Sequence, residues 1–261
     1  MDSERRNPEL TGCPKRYTRI RALFFGQPMK LTKPQSWKFW YAESSLTALL
    51  IFTLVYLFVV CAFGALSFGG FVGRLSFSLI IVAGVLTTFR QRLVRFLGIV
   101  LALANLTLTW MEYIHRAWSL TFLSALLGML FLVLLLAVLI VQVFQAGTVT
   151  GHRIRGAILV YLLMGGMWSF IYYAVALTIP HAFNWPEGLV TGDLQEVQQA
   201  LTYFSFITLT TTGFGDVTPA IPLTRSLAMF EALAGQLYLV VTLTRLVSLS
   251  VVYPNFPHKP D

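Results

Sequence analysis

Residues 203–219 read YFSFITLTTTGFGDVTP, and the order Thr211-Thr212-Gly213-Phe214-Gly215-Asp216 inside them governs how the rest of the chain is read. Gly213 and Gly215 stand one residue apart. Lacking a Cβ, both can take positive φ, so the backbone here can alternate between ordinary and positive φ. Such alternation turns carbonyls of consecutive residues toward one side. The rival reading is an ordinary Gly-rich turn after a helix, and the flanks decide against it. Asp193 followed by Glu196 is a capping-box-like helix start. From there Val197 to Leu209 makes about three to four turns, too short to cross roughly 30 Å of hydrocarbon. After Pro222, the apolar run from Leu223 to Val252 is long enough to span.

Composition sets the class. With 56% hydrophobic and 11% charged residues and a mean hydropathy of +0.72, the chain is too apolar for an ordinary soluble domain and reads as a polytopic helical membrane protein. The net charge of +8 raises the question of nucleic-acid binding. Its basic residues, however, lie before and between apolar runs, which points to membrane orientation instead. Cys13 and Cys61 fall at different membrane levels, so no disulfide is expected. His115, His152, His181 and His258 are scattered over different connections, and no metal signature, nucleotide loop or catalytic triad is present. The chain is not expected to be an enzyme or to carry a cofactor.

Working outward, residues 1–44 form a basic, Pro-interrupted segment that does not read as a signal peptide. Two readings of Tyr17 to Phe25 stand: a stretch lying on the inner leaflet, held by anionic lipid, or a disordered orientation signal. Six apolar spans follow, at about Ser45–Gly64, Leu75–Phe89, Phe96–Met111, Leu120–Phe144, Gly156–Thr178 and Leu223–Val252. The second is short and needs help from the residues before it, with Arg74 snorkelling outward. The expected division is a four-helix membrane domain over 45–145, a pore domain over 146–252 and a short cytoplasmic tail over 253–261, which leaves no room for a ligand-binding domain. With both termini cytoplasmic, Arg90, Arg92, Arg95, Arg153, Arg155 and Lys259 lie inside with the basic head, and only Arg74, Arg116 and Arg225 lie outside. That asymmetry agrees with six spans.

Spans five and six with the loop between them resemble the two-helix pore module of the potassium-channel family. The resemblance covers about Gly156 to Val252 and is carried by TTGFGD. It implies an all-α membrane protein of six transmembrane helices with a re-entrant pore helix and selectivity-filter loop between helices five and six. Backbone carbonyls of Thr211, Thr212, Gly213, Phe214 and Gly215 would replace the hydration shell of a potassium ion. The Thr211 hydroxyl would be the innermost ligand, and Phe214 and Asp216 would brace the loop from behind. The pore helix would point its negative end at the cavity. One loop cannot enclose an ion, so a homotetramer is implied. Two departures from the family pattern are Thr212, where valine or isoleucine is usual, and Phe214, where tyrosine is commoner. The second removes a hydroxyl that ties filter to pore helix. Gly235 falls where many members carry a gating-hinge glycine, and close helix packing is the alternative.

The first four spans fit less well. Voltage-gated relatives carry regularly spaced arginines on the fourth helix, yet Leu120 to Phe144 holds no Lys or Arg, so steep voltage gating is not expected. Arg90, Arg92 and Arg95 are placed in an inner turn instead. Asn105, Glu112 and His115 either seat a ligand or tie helices together. Glu231, in the sixth span, should face protein rather than lipid as a filter support behind the pore helix, with a structural or a gating role. The leading function is a passive potassium-selective channel in the plasma membrane. A non-selective cation channel and a non-conducting scaffold or accessory subunit are the alternatives, and no nucleic-acid partner is expected.

Overall fold

A computed structural model describes residues 46–58, 69–88, 92–115, 117–145, 150–189 and 192–252. The basic head, Arg90, Arg116, both cysteines and the tail 253–261 lie outside the described residues. The described residues are helical almost throughout: α1 Leu46–Phe58, then α2 Gly69–Thr88, α3 Arg92–His115, α4 Trp118–Val143, α5 Gly151–Thr178, α6 Leu194–Leu209 and α7 Pro222–Val252. Two short strands, β1 Phe183–Asn184 and β2 Thr218–Pro219, flank α6 and the loop after it. Among the described residues four helices are long and apolar enough to cross a membrane: α3, α4, α5 and α7. Described α1 and the apolar part of α2, Gly70–Leu86, are shorter.

Several boundaries differ from the sequence reading. Helix α2 begins at Gly69 rather than Leu75, so Arg74 sits inside it. The third helix begins at Arg92 and places Arg92 and Arg95 in its first turn, not in a connection. Helix propensity explains this, since arginine is among the better helix formers and no Gly or Pro separates it from the apolar run. On the short helix, α6 starts at Leu194, three residues before Val197.

Packing centres on α4, which lies against both α3 and α5. Its buried residues Phe131, Leu132, Leu135, Leu136 and Leu139 recur at helical spacing and meet Leu159, Val160, Leu163 and Phe170 of α5, with Phe77, Ile80 and Ile81 of α2. Helices α3 and α4 are also joined by polar groups. Asn105, fully buried, donates from Nδ2 to the Ser124 carbonyl at 3.4 Å and accepts from Thr109. Ser124 Oγ donates to Glu112 at 2.6 Å. In these contacts Asn105 and Glu112 tie helices together.

Helix α6 packs between α5 and α7. A Cβ on Gly165 would stand 2.7 Å from the Phe206 ring, so that glycine is what lets α6 approach α5. Behind α6, Tyr172, Phe183 and Phe204 stack edge-on, with centroids 5.1 to 5.8 Å apart. The strands pair antiparallel with Phe183 opposite Pro219 and Asn184 opposite Thr218. Ala220 N–H and Thr224 Oγ1 both donate to the Ala182 carbonyl at 3.0 Å. The segment leading into α6 is thus fastened to the segment leaving the loop.

Candidate functional site

The site is built from the end of α6 outward. Asp193 caps α6, its Oδ1 accepting from the Gln195 N–H at 2.8 Å, and Glu196 lies in the first turn where a negative charge complements the helix dipole. At 16 residues the helix is about 24 Å long, short of roughly 30 Å of hydrocarbon. Buried Val197, Leu201, Phe204, Ile207 and Leu209 hold one face against the protein.

At its C-terminus the helix hands its unsatisfied carbonyls to the loop. Thr210 N–H donates to Phe206 O, Thr211 N–H to Thr208 O, and both Thr212 and Gly213 N–H to Ile207 O, all between 2.8 and 3.1 Å. In a planar trans peptide the N–H and the preceding C=O point in opposite directions. Turning the Thr212 and Gly213 N–H groups back onto Ile207 therefore turns the Thr211 and Thr212 carbonyls outward. The dihedrals extend the pattern: φ is 58° at Thr211, 56° at Gly213 and 84° at Gly215, while Thr212 and Phe214 between them keep negative φ.

Positive φ at Thr211 carries no glycine signal. For a β-branched residue it is a strained conformation, and three contacts hold it: the backbone bond to Thr208, a bond from its own Oγ1 to Thr210 O at 2.7 Å, and one accepted from Gln236 Nε2 at 3.2 Å. Within the chain the Thr211 hydroxyl is therefore engaged by α7.

Residues 211–216 are all exposed in the single chain. Phe214 is 71% exposed, so it does not brace the loop against its own α6. That contact falls to Tyr203 of α6, which is hydrogen-bonded to Asp216.

Helix α7 closes the site from the far side. Gly235 lies so close to the end of α6 that a Cβ there would sit 2.5 Å from the Leu209 carbonyl oxygen, and the Tyr161 hydroxyl donates to the same oxygen at 3.2 Å. The packing role for Gly235 is thus visible in the contact. Glu231, one turn earlier and fully buried, accepts from Tyr172 of α5 at 2.6 Å and lies 2.5 Å from Ser205 of α6.

Of the residues singled out from sequence, Thr211 to Asp216 form one continuous surface, with Gly235 and Glu231 behind it. Tyr172, Tyr203, Ser205 and Gln236 were not singled out. An aromatic or hydroxyl residue within an apolar helix has no periodic signature that separates a polar contact from packing. Among the described residues no group of three or more His, Cys, Asp or Glu is placed to hold a metal ion.

Residues 199–251 match the Ion_trans_2 family model, described as "Ion channel". The match spans most of α6, the loop and nearly all of α7. None of the curated proteins matches the chain. The chain is therefore a helical integral membrane protein that carries an ion-channel segment over residues 199–251.

Proposed function

We propose that this chain is the subunit of a passive, potassium-selective channel whose pore is formed by four copies around an axis, with both termini cytoplasmic. The observation that carries this reading is the alternation of positive and negative φ from Thr211 to Gly215, with the N–H groups of the inner residues turned back onto α6. A backbone that alternates in this way can turn successive carbonyls toward one side, where they are able to replace a hydration shell. The exposure of 211–216 in one chain fits a surface completed by other copies. The negative end of α6 favours a cation in the cavity beneath. Expressed and reconstituted in bilayers, the protein should give a reversal potential close to the potassium equilibrium value in asymmetric potassium and sodium.

A second reading, a non-selective cation channel, is favoured by one observation: Phe214 has no hydroxyl and no packing against its own α6. A reversal potential indifferent to the potassium-to-sodium ratio would establish it. Folded tetramer without current would instead indicate a scaffold or accessory subunit that keeps the pore fold.

A further inference from the structure

Three close oxygen–oxygen contacts meet behind the filter. Tyr172 Oη lies 2.6 Å from Glu231 Oε2, Ser205 Oγ lies 2.5 Å from Glu231 Oε1, and the same Ser205 Oγ lies 2.8 Å from the carbonyl oxygen of Gly165. Every one of these contacts needs a hydrogen. Tyr172 and Ser205 supply one each, and the Gly165 carbonyl supplies none. If Glu231 is ionised, two hydrogens must serve three contacts, and a bare carboxylate remains at a fully buried position. If Glu231 carries a proton, the count closes: Tyr172 donates to Oε2, Oε1–H donates to Ser205, and Ser205 donates to Gly165.

The surroundings agree with the neutral form. Among the described residues the recorded hydrogen-bond partners of the Glu231 carboxyl are hydroxyls, and no Lys, Arg or His is recorded as its partner. On α5 the titratable groups that face it are Tyr172, bonded to it, and Tyr161. On α6, Tyr203 is engaged with Asp216, and Glu196 lies in the distant first turn. On α7 itself Arg225 donates to Pro219, and Arg245 lies about four turns further along. An unpaired charge at such a site is strongly disfavoured.

We propose that Glu231 is a proton-bearing latch that fastens α7 to α5 and α6, positions α6 behind the filter, and releases α6 when the proton is withdrawn. Through Ser205 it grips α6 six residues before Thr211, so a change at the latch reaches the filter along a rigid helix. Glu231 is a positioning residue, acting on ions only through α6. The proposal rests on the channel reading for its consequence but not for its chemistry.

Two measurements test it separately. Infrared spectra of the reconstituted Glu112→Gln protein, in which the other described intramembrane carboxyl is removed, should show the carbonyl stretch of an un-ionised carboxylic acid at neutral pH. Adding Glu231→Gln should abolish that band. Its absence before that addition overturns the proposal whatever the protein conducts. In recordings, Glu231→Gln replaces the proton-bearing oxygen with an amide that still donates to Ser205 while its Oε1 accepts from Tyr172. It should therefore conduct and select as the parent does. The parent should lose current several-fold and reversibly as pH is raised into the alkaline range, and Glu231→Gln should not. A folded Glu231→Gln tetramer that has lost current, or a parent whose current ignores alkaline pH, overturns the latch. The infrared band without current in any variant supports the protonated carboxyl and counts against the channel reading instead.

Discussion

A methyl group on Gly235 would stand 2.5 Å from a backbone oxygen of Leu209, an atom that cannot swing aside as a side chain can. Gly235→Ala should therefore push α7 off the end of α6 and destabilise the protein by about 1–3 kcal/mol, as overpacking typically does. Thermal unfolding in detergent measures this, and an unchanged midpoint would mean that the approach relaxes freely. Gly213 and Gly215 differ in kind, since nothing lies within 4 Å of a Cβ built on either in the single chain. Alanine there is opposed by conformation alone, at about 1–2 kcal/mol per residue held in the left-handed region. Gly215→Ala should thus lower stability by no more than that conformational cost, with no displacement of α6 from α7, while collapsing potassium-over-sodium selectivity in reversal-potential measurements. Retained selectivity would remove these carbonyls from the conduction path. At this scale the two glycines were legible because glycine alone takes positive φ without strain. Thr211 was not, because its conformation is imposed by Thr208, Thr210 and Gln236, which sequence does not bring together.

Among elements, the helices were legible as apolar runs, whereas their ends were not. Charged residues such as Arg92 and Arg95 extend a helix as readily as they end it, so a boundary drawn where hydropathy falls stops short. The capping signal at Asp193 did locate a start, because a side chain bonding a free N–H is a local event. The fastening of α3 to α4 through Asn105, Glu112 and Ser124 needs two elements at once and was beyond periodicity. Ser124→Ala removes the donor to half-buried Glu112 and should lower stability by about 0.5–1.5 kcal/mol, the net range for a typical intramolecular hydrogen bond. Calorimetry of the reconstituted protein would register the loss, and a neutral outcome would show that water takes the place of the hydroxyl.

For the whole molecule, charge placement sets what the membrane field can do. One elementary charge crossing the full potential contributes about 2.3 kcal/mol per 100 mV, and steep gating requires several per subunit. Helix α4 carries no Lys or Arg, and Arg92 and Arg95 lie in the opening turn of α3. Conductance should accordingly vary only gently with voltage, and changing both arginines to Gln should alter expression or orientation more than the slope. A steep activation curve that flattens in that double variant would contradict this. A different property follows from the two-residue ladder between β1 and β2. By joining Asn184 to Thr218 it makes everything between them a closed circuit whose two ends stay fastened when its rim, the connection before α6, is lengthened. Glu187 and Gly188 lie on that rim, exposed, with open space around the Gly188 Cβ position. A short epitope inserted after exposed Gly188 should be displayed on the folded protein without altering its current, whereas the same insert after Val217, which is buried and adjoins the ladder, should abolish it. The rim is thus a natural handle for labelling the molecule while the circuit keeps its shape.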